Sequence, residues 1–135
     1  MLGLFIFGRL VERSVGSREF LLYYLLTGTL AGAASYFMYL FSGSLFTVVL
    51  GASGALYAVM LLFAVLFPTA VVYVFGIIPM RAPLLVILYF FIDFLGQFRA
   101  DGTAHLVHLS GLFFGFLYIM IRMKINPLRQ WGIIK

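Results

Sequence analysis

The sequence predicts an all-α, polytopic membrane helix bundle, with four spanning helices plus the end of a fifth. Three observations carry this. The chain is 64% hydrophobic and only 10% charged, where a soluble domain carries about 25% charged residues. Its 135 residues are too few to bury so much apolar surface in one core. Uncharged runs near the ~20 residues that a spanning helix needs recur between short polar turns. The basic residues are scattered, with no stripe, so the formal charge of +5 points to a membrane face and not to nucleic acid. Cysteine is absent, which excludes disulfides and thiolate zinc sites.

The elements follow in order. Met1 to about Leu10 reads as the last turns of a helix: Met1–Phe7 is apolar but too short to span. It also lacks the basic start and small-residue cleavage site of a signal peptide. The stretch Arg9–Glu19 reads as a polar turn, with Ser17 near a helix start. Phe20–Phe41 is an uncharged run holding Gly28, Ala31, Gly32, Ala33, Ala34 and Ser35. Such small residues let helix backbones approach closely in lipid. Ser42-Gly43-Ser44 is a turn, Leu45–Phe67 the second apolar run, and Pro68 ends it. Thr69–Pro83 reads as a loop with an extended, interface-lying piece, because Val71–Phe75 is β-rich and Gly76, Pro79 and Pro83 interrupt any helix. Pro83–Leu95 is a third helix, short for a span and therefore tilted or wet at one end. Gly96–Gly102 is a polar turn, and Thr103–Ile121 the fourth helix. No repeat or domain boundary is visible, so residues 1–135 read as one transmembrane domain.

Orientation follows from lysine and arginine on alternate sides. Arg9, Arg13, Arg18, Arg81, Arg122, Lys124, Arg129 and Lys135 fall on one side and Arg99 on the other. The C-terminus is therefore expected in the cytoplasm, in a bacterial or archaeal cell membrane.

Two strings carry chemistry: Gly51-Ala52-Ser53-Gly54 in the second run and His108-Leu109-Ser110-Gly111 in the fourth. From Ser53 to Phe67 is about 14 steps, or ~21 Å, and from His108 to Ile121 about 13 steps, or ~20 Å. Both runs end on the cytoplasmic side, so the two side chains lie at one depth, roughly 10 Å below the outer surface of a ~30 Å core. Gly111 and Gly115, at i+3 and i+7 from His108, share its helix face and form a Gly-x-x-x-Gly packing surface. Tyr57, at i+4 from Ser53, lies one turn below it. Contact between these faces sets the imidazole beside the hydroxyl with Tyr57 beneath the ring. A serine hydroxyl needs a base to become a nucleophile, and neutral imidazole serves near pH 7. The Ser53 backbone N–H can serve as an oxyanion donor.

Simpler readings compete. Ser53 can be a small residue at a helix crossing, and His108 a hydrogen-bonded core histidine. His105 and His108 near Asp101 raise a metal site, but zinc needs more ligands and no acidic partner recurs, so no metal and no cofactor are expected. His105 reads as a wet residue near the outer end, and Asp93 as a snorkelling or loop-capping carboxylate.

The chain resembles the rhomboid family of intramembrane serine proteases. The resemblance rests on Phe7-Gly8 with Glu12 and Gly16-Ser17, on residues 51–54 with Tyr57, on Phe67-Pro68 and Ile78-Pro79, and on Ala104 through Gly111. It implies a serine endopeptidase with Ser53 as nucleophile and His108 as base, no third acidic member, Tyr57 packed on the histidine, and Gly51, Gly54, Gly111 and Gly115 in support. It implies substrates that are single transmembrane helices with unstable, small-residue segments, entering beside the third helix. The family's His-x-x-x-Asn string, which helps bind the oxyanion, would fall before Met1. The resemblance therefore describes a core lacking its N-terminal helices, with activity lowered by roughly 10²–10³ for a lost donor. The competing class is a non-catalytic rhomboid-like protein that holds transmembrane helices. A channel or transporter would need more ionisable lining.

Overall fold

The computed structural model describes residues 4–42, 53–74, 76–96, 98 and 105–133. A π-helical turn, Leu4–Gly8, runs directly into α1 (Arg9–Val15). The expected turn after Leu10 is therefore helix. Arg9, Glu12 and Arg13 recur at helical spacing, and their charge disguised the pattern as loop. The break falls instead on Gly16, whose φ of 92° is a conformation that glycine adopts without penalty. Its N–H still closes on the Glu12 carbonyl at 2.8 Å. The next residue, Ser17, donates its hydroxyl to Glu12 Oε1 at 2.7 Å as α2 (Ser17–Ser42) begins.

The long helix α2 carries large apolar side chains outward, among them Leu21, Leu25, Phe37 and Phe41. Inward it turns Tyr23, Thr27, Ala31 and Ser35, all buried. Thr27 and Ser35 return their hydroxyls to carbonyls one turn back, Tyr23 O and Ala31 O, both at 2.6 Å. This is how a hydroxyl is satisfied inside an apolar bundle. Among the described residues α2 is the helix long and apolar enough to cross a membrane. The shorter helices α3 (Ser53–Leu66), α4 (Ala82–Gly96) and α5 (His105–Ile121) have 14, 15 and 17 residues, so the expected four spans are met by length in one. The runs expected to precede α3 and α5 lie outside the described residues.

The middle of the bundle is α3, buried without interruption from Ala58 to Val65. A helix that is apolar on every side belongs inside, and α2, α4 and α5 surround it. Between α3 and α4 the expected loop is a β-hairpin: β1 (Val71–Val74) pairs antiparallel with β2 (Ile78–Arg81), Val71 opposite Arg81 and Val74 opposite Ile78. The β-branched run supplies one strand. Gly76, at φ 71°, supplies the bend. Pro79 is tolerated because a two-stranded ribbon leaves each strand an edge. Ala82 N–H bonds Ala70 O at 2.9 Å, handing the hairpin to α4. The chain closes with α6 (Pro127–Gln130), capped by Asn126 Oδ1 accepting from Leu128 N–H at 3.0 Å, with Pro127 at its first position. Trp131 Nε1 then donates to Ala64 O at 3.0 Å. That carbonyl lies in the last turn of α3, where helical partners run out.

Candidate active site

The seam between α3 and α5 is built from absent side chains. A Cβ on Gly111 would run into the Gly54 carbonyl. A Cβ on Gly54 would lie 2.9 Å from Val107 Cγ1 and 3.1 Å from both Val107 O and Ala31 Cβ. One turn on, a Cβ on Gly115 would meet the Tyr23 hydroxyl at 2.7 Å and Ala58 Cβ at 3.1 Å. The face carrying Gly111 and Gly115 thus packs on α3, as its spacing predicts, and Gly54 is the point of closest approach. Ser53 is the residue before Gly54 and is half-buried. His108 lies one turn before Gly111, also half-buried. Gly51 falls outside the described residues.

The imidazole of His108 is held from two directions. Tyr57 lies flat against it, with ring centroids 4.2 Å apart and planes 9° from parallel. Tyr57 is itself propped edge-on by Tyr89 of α4 at 5.9 Å. At the ring's edge, Nδ1 lies 2.9 Å from Asp93 Oδ1. A carboxylate only accepts, so Nδ1 is the donor to Asp93, and in a neutral ring Nε2 is then the nitrogen that holds the lone pair.

Asp93 corrects the sequence reading. It does not snorkel: only 2% of its surface is exposed. His105 is corrected as well, since it is largely buried against α4. Its Nδ1 lies 2.6 Å from the same Asp93 Oδ1, and the two imidazoles meet at 88° with centroids 6.4 Å apart. Gly96, i+3 from Asp93 on the same face of α4, makes room for His105: a Cβ there would sit 2.6 Å from the ring atoms Cε1 and Nε2. Asp93 Oδ2 is buried with no well-aligned hydrogen bond among the described residues, although the Tyr57 hydroxyl interacts with the carboxylate. The signals for this cluster were present as an ionisable residue in an apolar helix and two histidines at i and i+3. What joins them is a contact between helices, which neither spacing reveals.

The lack of an acidic partner counted against a metal at the sequence level, and the structure supplies that partner. Asp93, His105 and His108 offer ligand atoms within 4.8 Å of one another. The two contacts to Asp93 have hydrogen-bond lengths, and each occupies the Nδ1 of its imidazole.

At the other end of the bundle, Tyr118 donates its hydroxyl to Glu19 Oε1 at 2.6 Å, and Arg122 Nε reaches the same oxygen at 3.0 Å. These contacts tie the end of α5 to the start of α2.

The family model described as the Rhomboid domain matches residues 1–125. No curated protein and no solved structure matches the chain.

Proposed function

The chain belongs to the rhomboid family, a family of membrane-embedded serine proteases, and from that premise we propose that it is an intramembrane endopeptidase using Ser53 as nucleophile and His108 as general base. The observation that carries this reading is the Tyr57–His108 stack at the crossing where Gly54 meets Gly111, with Ser53 next in sequence to Gly54.

In this reading Ser53 Oγ attacks the scissile carbonyl carbon while the hydroxyl proton passes to His108 Nε2. The carbonyl electrons move to oxygen, and the Ser53 backbone N–H is one donor for the oxyanion. The tetrahedral species collapses, breaking the C–N bond, and His108 returns the proton to the leaving amine. Water, deprotonated by the same imidazole, then releases the acyl group and regenerates the serine.

The substrates are transmembrane helices of other membrane proteins, since peptide bonds at this depth are otherwise out of reach. Segments of small residues that include glycine and serine suit best, because those residues hold a helix less well than alanine or leucine. The lysine and arginine bias supports a C-terminus in the cytoplasm, with the Ser53–His108 end toward the outside.

Cleavage in liposomes of a model single-span substrate with a small-residue segment tests the reading. The chain is expected to yield two fragments, and Ser53→Ala and His108→Ala to lower the rate by roughly 10³-fold or more. Undiminished cleavage by Ser53→Ala removes the proposal. Retention of the intact substrate by the unaltered chain, with no cleavage, makes it a helix-holding member of the family.

A further inference from the structure

The reaction above uses a serine and a histidine and gives no role to a buried carboxylate. An ionised group in an apolar helix is costly unless it is paired and fully hydrogen-bonded. Asp93 meets that condition only in part. Two imidazoles share its Oδ1, at 2.6 and 2.9 Å, and the Tyr57 hydroxyl also interacts with the carboxylate, yet Oδ2 is buried with no well-aligned hydrogen bond among the described residues. A bare tie between α4 and α5 would be cheaper as an apolar contact. The sequence instead spends three further positions on the carboxylate: His108, His105 and the Gly96 gap that admits the His105 ring.

We propose that Asp93 is a positioning residue for His108, making the site a Ser53–His108–Asp93 relay in which His105 anchors the carboxylate. The inference rests on the Ser53–His108 reading and adds to it a member contributed by α4. The two restraints on the imidazole are complementary. The Tyr57 stack fixes the plane of the ring but leaves it free to turn within that plane. The bond from Nδ1 to Asp93 removes that freedom. It also selects the tautomer, so that Nε2 is the nitrogen able to take the hydroxyl proton. As the proton arrives at Nε2, the Nδ1 proton stays on the ring and Asp93 remains a carboxylate. The imidazolium that forms is then stabilised by the charge beside it. His105 donates to the same oxygen with its ring plane nearly perpendicular to that of His108, a second anchor that keeps the carboxylate from following the His108 ring.

The test uses the full chain in detergent micelles with an alkyl fluorophosphonate. In that reaction the Ser53 Oγ–P bond forms, fluoride leaves, and the hydroxyl proton goes to His108. Asp93→Asn is expected to lower the limiting inactivation rate by about 10²–10⁴-fold while the half-saturating probe concentration changes by less than about twofold. Asp93→Glu is expected to recover part of that rate. In ¹⁵N spectra of labelled histidine, His108 of the unaltered protein is expected as the Nδ1–H tautomer, and Asp93→Asn is expected to shift it toward Nε2–H. The last readout does not move if Asp93 merely supports the fold, and its first half needs no variant at all. An Nε2–H tautomer in the unaltered protein overturns the proposal, as does an unchanged limiting rate in folded Asp93→Asn. Labelling that requires added zinc also overturns it, since the cluster would then be a metal site. Ser53→Ala separates the two levels. If it abolishes labelling while Asp93→Asn labels at the full rate, the relay alone fails. If Ser53→Ala still labels, the protease reading fails and takes the relay with it.

Discussion

Helices α3 and α4 both flank α5, and they do so by opposite means. Against α3, α5 lies backbone to backbone: Gly111 faces the Gly54 carbonyl, and Gly115 faces Ala58 and the Tyr23 hydroxyl. On the far side of α3 the same device recurs, since a Cβ on Gly28 of α2 would fall 2.9 Å from Ala55 Cβ. Helix α4 buries Leu85, Val86 and Asp93 but presents Leu84, Phe91, Ile92 and Leu95 outward. Its link to α5 at the site is polar, through one carboxylate oxygen. The first region is defined by atoms that are not there, so it cannot accept even a methyl. The second turns more of its apolar side chains outward and meets α5 at the site through a charged group.

The contrast can be broken most directly at its tightest point. Gly111→Ala is expected to cost about 3 kcal/mol, the upper end for overpacking, because the new methyl meets a backbone carbonyl and not a flexible side chain. Thermal unfolding in detergent checks it, and an unchanged midpoint would show that the seam is not close-packed. Gly115→Ala is expected to cost about 2 kcal/mol, since the methyl displaces the Tyr23 hydroxyl from its bond to the Ala58 carbonyl. Tyr23→Phe isolates that bond and is expected to cost about 1 kcal/mol by the same measurement. On the α4 side, Phe91→Leu is expected to change stability by less than about 0.5 kcal/mol. A loss comparable to that of Gly115→Ala would erase the distinction between the two regions. The smallest effect is expected from Arg122→Gln at the exposed ion pair with Glu19. It should appear at low salt and fade as salt screens the charges.

Much of the bundle was legible in the sequence because it obeys local rules. The run Phe20–Phe41 lies within α2, Pro83–Leu95 lies within α4, and the Gly111–Gly115 face lies on α3. Tyr57, placed by counting four residues from Ser53 and by the family resemblance, is the ring under His108. The failures have physical causes too. Charge disguised α1, whose pattern is helical but whose face is polar. Pro79 disguised β2, because a proline argues against a strand unless that strand is an edge. Asp93 and His105 were misread because each was judged on its own helix, where a charge near an apolar end is best explained by water. Their true partners lie across the gap between α4 and α5, and no periodicity in one helix reports on another.

The central claim is that Ser53 is a nucleophile activated by His108. Peptide mapping of the fluorophosphonate-treated protein addresses it without any substrate. The account predicts a phosphonyl adduct on Ser53 that is lost in His108→Ala. An adduct that persists at full extent in His108→Ala, or that maps to a residue other than Ser53, would contradict it.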